Sequence, residues 1–305
     1  MPTTRFARFA LPGELEFNPG PGTLGSLHIR NELASATICL QGAQLTAWRP
    51  RSAGNPVIWT SPSAQATAGK SLRGGVPVCW PWFGPHATQS TLPAHGFVRG
   101  LPWEVCASGR AADGATEVTL AIGDSEQTRA AWPHAFLLEL QVRVGATLEM
   151  SLVTRNTGLG TFSVSEALHT YFAIGDIAAA RVHGLEEVEF LDKTRAGDRR
   201  VEHQPIAFDG EIDRVYCNTS GDCTIEDPVL GRRIRISKTD SRSTVVWNPW
   251  DEKSRKMGDL GPGRQGEGGW RDMVCVESGN VGSNEVSVLP GALHRMAVRY
   301  SVEAL

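Results

Sequence analysis

Apolar and polar residues alternate along several short stretches of the chain. Over 136–144 every second residue is apolar and most of the others are polar, so the two kinds of side chain would lie on opposite faces of a β-strand. A second alternating run begins at Leu148, and the intervening Gly145-Ala146 predicts a β-hairpin with a two-residue turn. Similar patterns predict further strands at Ser35–Leu40, Glu117–Ile122, Phe162–Phe172, Arg233–Ser237, Val245–Trp247, Met273–Glu277, Glu285–Leu289 and Arg295–Val302.

Helical periodicity is sparse by comparison. Arg129–Ala131 and Ser254–Leu260 favour short helical turns. Many short strands with little helix between them are typical of a large antiparallel β-sandwich or barrel, so we predict an all-β fold with few short helices. The sequence contains no internal repeat and no linker-like stretch, and we therefore expect residues 1–305 to form a single domain.

The composition is that of a soluble globular protein, with 41% hydrophobic and 21% charged residues. The formal net charge of −3 argues against nucleic acids and membrane surfaces as partners, because both attract an excess of Lys and Arg. The chain has no run of about 18 apolar residues and no signal-like apolar core near its N-terminus. We therefore expect a cytoplasmic protein with reduced thiols.

No sequence pattern indicates a cofactor or a metal. Gly261–Gly266 matches G-x-G-x-x-G, but a dinucleotide fingerprint follows a strand and opens a helix, whereas loop residues flank this string. The six cysteines form no C-x-x-C pair, and H-E-x-x-H is absent from the sequence. We expect a protein that needs neither a cofactor nor a metal.

Residues 73–84 combine a double glycine, two prolines and two tryptophans with Arg73. Proline cannot serve a central strand, so a rigid segment at a sheet edge is predicted. Trp80 and Trp82 could stack on a sugar ring or fill the core, and the core is the commoner place. Arg73 by itself would also fit a surface ion pair.

A second cationic segment is Pro93–Gly100. His95 and Arg99 lie four residues apart and would face the same side of an extended segment. With Arg73 they would make a basic set suited to an anion, since guanidinium presents a planar fork of donors to phosphate oxygens. A surface-exposed turn explains the segment equally well.

An imidazole and a carboxylate stand out in two strand-like segments. His169 falls on the small and polar face of 162–172, where it could meet a ligand or be a hydrogen-bonded structural histidine. Glu277 closes an apolar run, so it is either paired, solvated in a cleft, raised in pKa or exposed at an edge. Asp213–Tyr216 fits an ordinary strand end.

Six segments of the chain, taken together in their order along the sequence, resemble the aldose 1-epimerase superfamily and more narrowly the hexose-6-phosphate mutarotases. Each string is weak alone, and their common order over roughly residues 72–281 is specific. The resemblance implies a large antiparallel β-sandwich of the galactose mutarotase type, which agrees with the strand pattern. The matching strings are LRGGVPVCWPWFG, LPAHGFVRGLPW, ALHTYFAIGDI, DRVY, VVWNPWDEK and MVCVESGNV.

The resemblance implies cofactor-independent interconversion of the α and β anomers of a hexose 6-phosphate such as glucose 6-phosphate. His169 matches the family's catalytic histidine and Glu277 its catalytic glutamate. Some members carry Gln where this chain has Ala94, which bears on substrate preference. The expected partner is a small-molecule sugar phosphate, and the expected assembly is a monomer. The implied substrate-binding residues are Arg73, Arg99 and Asp213, with His95 in the same substrate-facing loop.

Three other functions compete with this interpretation. One is an aldose 1-epimerase that acts on neutral hexoses, and another is a carbohydrate-binding sandwich without catalysis. A glycoside hydrolase would need two carboxylates beside the scissile bond, whereas the resemblance supplies a histidine and a glutamate.

Overall fold

The computed structural model describes residues 6–18, 24–264 and 266–305, which form 23 strands and two α-helices. The helices are α1 Glu126–Ala131 and α2 Trp250–Met257. The strands are β1 Leu15–Asn18, β2 Ser26–Arg30, β3 Ala34–Cys39, β4 Gln44–Pro50, β5 Val78–Cys79, β6 Glu104–Arg110, β7 Thr116–Gly123, β8 Phe136–Val144, β9 Leu148–Asn156, β10 Phe162–Val164, β11 Glu166–Leu168, β12 Tyr171–Ala173, β13 Arg181–His183, β14 Phe190–Asp192, β15 Asp198–Arg200, β16 Ile206–Ala207, β17 Ile212–Cys217, β18 Cys223–Asp227, β19 Arg232–Thr239, β20 Ser243–Asn248, β21 Met273–Asn280, β22 Val286–Val288 and β23 Leu293–Ala304.

Two large antiparallel sheets dominate the described residues. One has nine strands in the order β16-β13-β18-β19-β23-β9-β8-β7-β6. The other has eight, in the order β15-β14-β17-β20-β21-β11-β5, with β12 also paired to β21. A smaller sheet has four strands in the order β1-β2-β3-β4, and β10 and β22 form a two-stranded sheet. The predicted all-β fold with few short helices is confirmed.

The main apolar core draws residues from both large sheets. In β8 every second side chain from Phe136 to Val144 is buried, as the alternation predicts. Val274 and Val276 of β21 belong to the same cluster from the other sheet. Burial of each such side chain contributes about 1.5–3 kcal/mol, so the pattern that predicts the strands also holds the two sheets together.

The opposite face of the eight-stranded sheet carries ionisable side chains. Successive residues of a strand point to opposite faces, so Cys275 and Glu277 point away from the core that holds Val274 and Val276. Strand register pairs Asp213 of β17 with Trp247 of β20. Trp247 in turn pairs with Cys275, and Cys275 with Tyr171 of β12. One row of side chains therefore crosses this face.

Residues 162–172, predicted as one strand, form the three short strands β10, β11 and β12. Two backbone amides bond to a neighbouring loop instead: Ser165 donates to the Pro81 carbonyl at 2.9 Å and His169 to the Pro77 carbonyl at 3.0 Å. The Thr170 hydroxyl lies 2.7 Å from that of Tyr300, in the core. The second interruption leaves His169 between β11 and β12, beside β21.

Three local predictions have the wrong bounds. The hairpin of β8 and β9 is confirmed, but Val144 pairs with Leu148, so its turn has three residues instead of two. The helix predicted at 254–260 spans 250–257, because Gly258 adopts a left-handed φ of 72° and ends it. The helix predicted at 129–131 begins at Glu126, where the Ser125 side chain accepts a hydrogen bond from the Thr128 amide.

The proline-rich segment and the glycine-rich string behave as predicted. Val78–Cys79 forms β5 at the edge of the eight-stranded sheet, and Trp80 is fully buried. The G-x-G-x-x-G string, of which Gln265 lies outside the described residues, follows a loop and leads into the 3-10 turn Gly269–Asp272. It therefore lacks the strand and the helix of a dinucleotide site.

Candidate active site

All six side chains singled out from the sequence line one cavity of about 380 Å³, here called the polar cavity. Small-molecule sites typically enclose about 300–1,000 Å³, so this volume suits a metabolite. The predicted residues in its wall are Arg73, His95, Arg99, His169, Asp213 and Glu277. The other side chains in its wall include Phe83, Tyr171, Lys193, Trp247, Lys253 and Met257.

His169 and Glu277 contact each other in this cavity. Nε2 of His169 lies 3.3 Å from Oε1 of Glu277, and the side chains are 12% and 2% exposed. Within the described part of the chain, Nδ1 of His169 and Oε2 of Glu277 are buried without a hydrogen-bond partner. Each residue therefore has one buried polar atom whose hydrogen-bonding capacity is unused.

Burial shifts the pKa values of the two groups in opposite directions. Burial raises the pKa of Glu277 well above its usual value, and the charge of Asp213 adds to the effect. Burial also lowers the pKa of His169 well below 6.5, and His95 and Arg99 lower it further. The surroundings therefore oppose the ionised form of each group. Because the two groups are in contact, a proton bound to one of them lies beside the other. Such a pair titrates as a unit.

Arg73 is oriented by two partners. Its Nε donates to Oδ2 of Asp259 at 3.0 Å, and its Nη1 donates to the Tyr171 hydroxyl at 2.8 Å. Burial raises the pKa of Tyr171, so the phenol stays protonated. The Tyr171 ring stacks on His169 with centroids 4.9 Å apart. A guanidinium has five N–H donors, so Arg73 keeps others for a ligand.

The segment that carries His95 and Arg99 is a turn, which is one of the two conformations that the sequence left open. His95 has a left-handed φ of 64°, and Arg99 lies in the 3-10 turn Val98–Gly100. At Gly96, with φ 76°, a Cβ would overlap the Trp80 carbonyl, so this tight turn needs glycine. The turn nevertheless brings both predicted side chains into the polar cavity.

The ring of His95 lies in the cavity with Arg73 and Arg99, and its surroundings oppose its protonation. Burial lowers its pKa to about 3, and Arg99 and Lys193 lower it further. Its Nδ1 accepts a hydrogen bond from the Gly84 amide at 3.3 Å, as a neutral ring can. Lys193, whose Nζ lies 5.5 Å from the centre of the Phe83 ring, and Lys253 add two further cations to Arg73 and Arg99.

Asp213 faces two lysines that the sequence analysis missed. Oδ2 of Asp213 lies 3.8 Å from Nζ of Lys253. Burial raises the pKa of Asp213, while Lys193 and Lys253 oppose that shift. Lys253 closes the string VVWNPWDEK and could have been noticed there. Lys193 lies in an unremarkable polar stretch, and nothing in the sequence marks it.

Among the residues of the ranges given above, no group of three or more His, Cys, Asp or Glu side chains is placed to hold a metal ion. No helix in those ranges is both long and apolar enough to cross a membrane.

The chain matches the family model for aldose 1-epimerase over residues 25–301. It belongs to the aldose 1-epimerase family. Within this family it is 41% identical over 244 residues to an Escherichia coli K12 protein named "Putative glucose-6-phosphate 1-epimerase", a match that covers 80% of this chain and 79% of the relative. The resemblance found in the sequence is thus confirmed at the level of the family.

Solved structures of similar proteins share the fold. The crystal structure of a "putative mutarotase" from Salmonella typhimurium superposes with a TM-score of 0.89 at 34% identity, over 97% of this chain and 96% of that one. A galactose mutarotase related enzyme from Lactobacillus acidophilus superposes with a TM-score of 0.73 over 92% and 97% of the two chains. Its 14% identity supports the fold alone. This chain is therefore a β-sandwich of the galactose mutarotase type.

Proposed function

We propose that this protein interconverts the α and β anomers of a hexose 6-phosphate, with glucose 6-phosphate as the first candidate. The observation that carries the proposal is the contact of His169 with Glu277 inside a cavity that also holds four cationic side chains. The names of the relatives point the same way, since the E. coli protein is called a glucose-6-phosphate 1-epimerase. No cofactor takes part in the proposed reaction.

In the proposed ring opening the single proton of the pair lies on His169, so Glu277 acts as the base and His169 as the acid. The carboxylate takes the proton of the C1 hydroxyl, the electron pair of that O–H bond forms the C1 carbonyl, and the bond from C1 to the ring oxygen breaks. His169 gives its proton to the ring oxygen as that bond breaks. After rotation about the C1–C2 bond, closure on the other carbonyl face reverses both transfers and yields the other anomer.

The spacing of the pair fits this reaction better than glycoside hydrolysis. Both oxygens that exchange protons are bonded to C1, so an acid and a base in contact with each other can reach both. Glycosidases instead separate two carboxyl groups by about 5–9.5 Å, on either side of the scissile bond. His169 and Glu277 are 3.3 Å apart, and only one of them is a carboxylate.

The cationic side chains favour a phosphorylated substrate over a neutral hexose. Arg73, Arg99 and Lys193 line the polar cavity, and the charges of all three act on the neutral ring of His95 between them. Arg99 donates from Nη2 to the backbone carbonyl of Ala94 at 2.8 Å. Ala94 therefore contacts Arg99 through its backbone carbonyl. The other N–H donors of Arg99 remain for phosphate oxygens. Asp213 is proposed to hold a sugar hydroxyl.

Exchange spectroscopy by NMR tests the proposal. The rate of anomer exchange is measured for glucose 6-phosphate, glucose and galactose in parallel, with and without the protein. We expect strong acceleration for glucose 6-phosphate and little for the neutral sugars. Comparable acceleration of all three would favour the aldose 1-epimerase alternative that acts on neutral hexoses. Binding without acceleration of any sugar would favour a carbohydrate-binding sandwich.

We further propose that the protein acts as a monomer in the cytoplasm. Support comes from the six free cysteines, since disulfides are rare in the cytoplasm, and from a polar cavity built by one chain. Light scattering coupled to size-exclusion chromatography measures the mass directly, and a mass well above 32.9 kDa would contradict the monomer.

A further inference from the structure

A second, larger cavity adjoins the polar cavity. Its volume is about 690 Å³, and it is called here the apolar cavity. Leucine, proline, phenylalanine and alanine side chains make up much of its wall. They come from three places, namely the loop before β5, the segment around Phe97 and the helix α1. The apolar residues are Leu72, Pro77, Leu92, Pro93, Phe97, Leu101, Ala130 and Ala131.

The two cavities share part of their walls. Arg73, Arg99 and Tyr171 line both, so the two guanidinium groups can be reached from either side. The apolar cavity also contains Lys70, and none of the described residues that line it is acidic. A cavity with apolar walls, three cations and no carboxylate is complementary to an anion that carries an apolar body.

A hexose 6-phosphate would leave this second cavity unfilled. With its ring beside His169 and Glu277 and its phosphate on Arg73 and Arg99, the monoester ends at the shared wall. The apolar surface beyond the wall has no role in the proposed reaction. Apolar cavities of this size beside an anion site bind apolar groups because burial removes their surface from water.

We propose that the apolar cavity binds the hydrocarbon part of an organic phosphate whose phosphate group occupies Arg73 and Arg99. This inference rests on the proposed role of the two arginines as phosphate ligands. The ligand class is a phosphate monoester with an aryl or similarly compact apolar group. Because its phosphate takes the place of the sugar phosphate, such a compound competes with the substrate.

Isothermal titration calorimetry with phenyl phosphate tests the inference, with inorganic phosphate as the reference ligand. Burial of one aromatic ring predicts an affinity at least about tenfold higher than that of inorganic phosphate. Glucose 6-phosphate is expected to displace phenyl phosphate. Equal affinity for phenyl phosphate and inorganic phosphate, or no displacement by the sugar phosphate, would overturn the inference.

Two substitutions fill the cavity without touching the arginines. Ala131→Trp and, independently, Ala130→Trp place an indole in its wall, and each is expected to abolish the tenfold advantage of phenyl phosphate while leaving inorganic phosphate binding unchanged. Ala112→Trp, in the exposed turn between β6 and β7, is the matched control and should retain the advantage. An advantage that persists in both cavity variants would refute the assignment of the apolar cavity.

Calorimetry separates this inference from the proposed function, because it does not depend on turnover. A protein that accelerates anomer exchange but binds phenyl phosphate no better than phosphate refutes the cavity assignment alone. A protein that binds phenyl phosphate tightly, loses that affinity in Ala131→Trp and yet accelerates no sugar refutes the mutarotase proposal alone.

Discussion

The reactivity proposed for His169 and Glu277 depends on burial at two individual residues. An exposed histidine–glutamate pair, His203 with Glu187, also occurs in this protein, with side chains 72% and 68% exposed. In the buried pair, the loss of the water that stabilises ions pushes the two pKa values in opposite directions. The same two residue types therefore differ in chemistry according to their place in the fold.

Substitution of either member of the buried pair should remove most activity. Glu277→Gln and His169→Ala are each expected to lower kcat for anomer exchange by about 10²–10⁴-fold, the usual contribution of a positioned acid or base. Circular dichroism should show that both variants remain folded. Glu187→Gln and His203→Ala alter the exposed pair and serve as matched controls with normal kcat. Near-normal turnover in either of the first two variants would refute their roles.

The pH dependence of kcat/KM should be bell-shaped. At low pH the pair takes up a second proton, and Glu277 can no longer act as a base. At high pH it loses its last proton, and His169 can no longer act as an acid. Because the pKa of His169 is lowered and that of Glu277 is raised, the acid limb lies below pH 6.5 and the alkaline limb above pH 4.5. Stopped-flow polarimetry measures the profile, and an acid limb above pH 6.5 would contradict these shifts.

Loss of one cation should discriminate between phosphorylated and neutral sugars. Arg99→Ala removes charge-assisted hydrogen bonds worth about 1.5–3 kcal/mol, which lowers kcat/KM for glucose 6-phosphate by roughly ten- to a hundredfold. Any activity on glucose should change little. Arg49→Ala, at an exposed arginine that donates to the Gly54 carbonyl, is the control. Equal losses on both sugars would argue against a phosphate role for Arg99.

A buried polar cluster connects β11, β21 and β23 through hydrogen bonds between their side chains. Oε1 of Glu166 lies 2.8 Å from Nε2 of His294 and accepts a hydrogen bond from Nδ2 of Asn280 at 3.0 Å. Glu166 and Asn280 belong to the eight-stranded sheet, and His294 is in β23 of the nine-stranded sheet. The cluster therefore links the two layers near one end of the sandwich.

This link should make stability depend on pH. Burial lowers the pKa of His294, but the hydrogen bond and charge of Glu166 outweigh it, and the pKa rises above 6.5. The stabilisation is therefore complete below about pH 6.5 and is lost as the pH rises through the folded-state pKa. His294→Gln should lower the free energy of unfolding by about 3 kcal/mol at pH 5.5 and by less at pH 8.5. Urea denaturation measures both values, and a difference independent of pH would exclude the histidine charge as the cause.

The elements that could be predicted from the sequence are those whose own residues determine them. β8 and the first half of β9 follow from the alternation of apolar and polar residues, and the end of α2 follows from Gly258, which the prediction of a helix at 254–260 overlooked. The interruption at His169 could not be predicted, because its cause is a carbonyl of Pro77 about 90 positions away. The same limit applies to Lys193, which reaches the polar cavity only through tertiary packing.

At the scale of the whole molecule, the apolar core extends without a break between the two large sheets. Val142 of one sheet and Val276 of the other belong to the same buried cluster, so neither sheet could keep its apolar face covered without its partner. This continuity supports the proposal of a single domain over residues 1–305. The strand alternation in the sequence predicts such a core, and it leaves the order of the strands open.

A single domain predicts one cooperative unfolding transition. Far-ultraviolet circular dichroism and tryptophan fluorescence should report coincident urea denaturation curves. Leu140→Ala, at a fully buried position of β8, should lower the free energy of unfolding by about 2–5 kcal/mol and shift both curves together to lower urea concentration. Two separate transitions, or a shift in one probe alone, would show that the chain contains independent units.

The end of α2 has a consequence for how this protein can vary. Gly258 stops the helix, and Asp259, the next residue, orients Arg73 by accepting a hydrogen bond from its Nε. An insertion or deletion of one residue in α2 would turn that carboxylate by about 100° around the helix axis. The length of α2 therefore sets the position of Asp259. We expect this length to be constant in variants, natural or engineered, that keep the contact between Asp259 and Arg73.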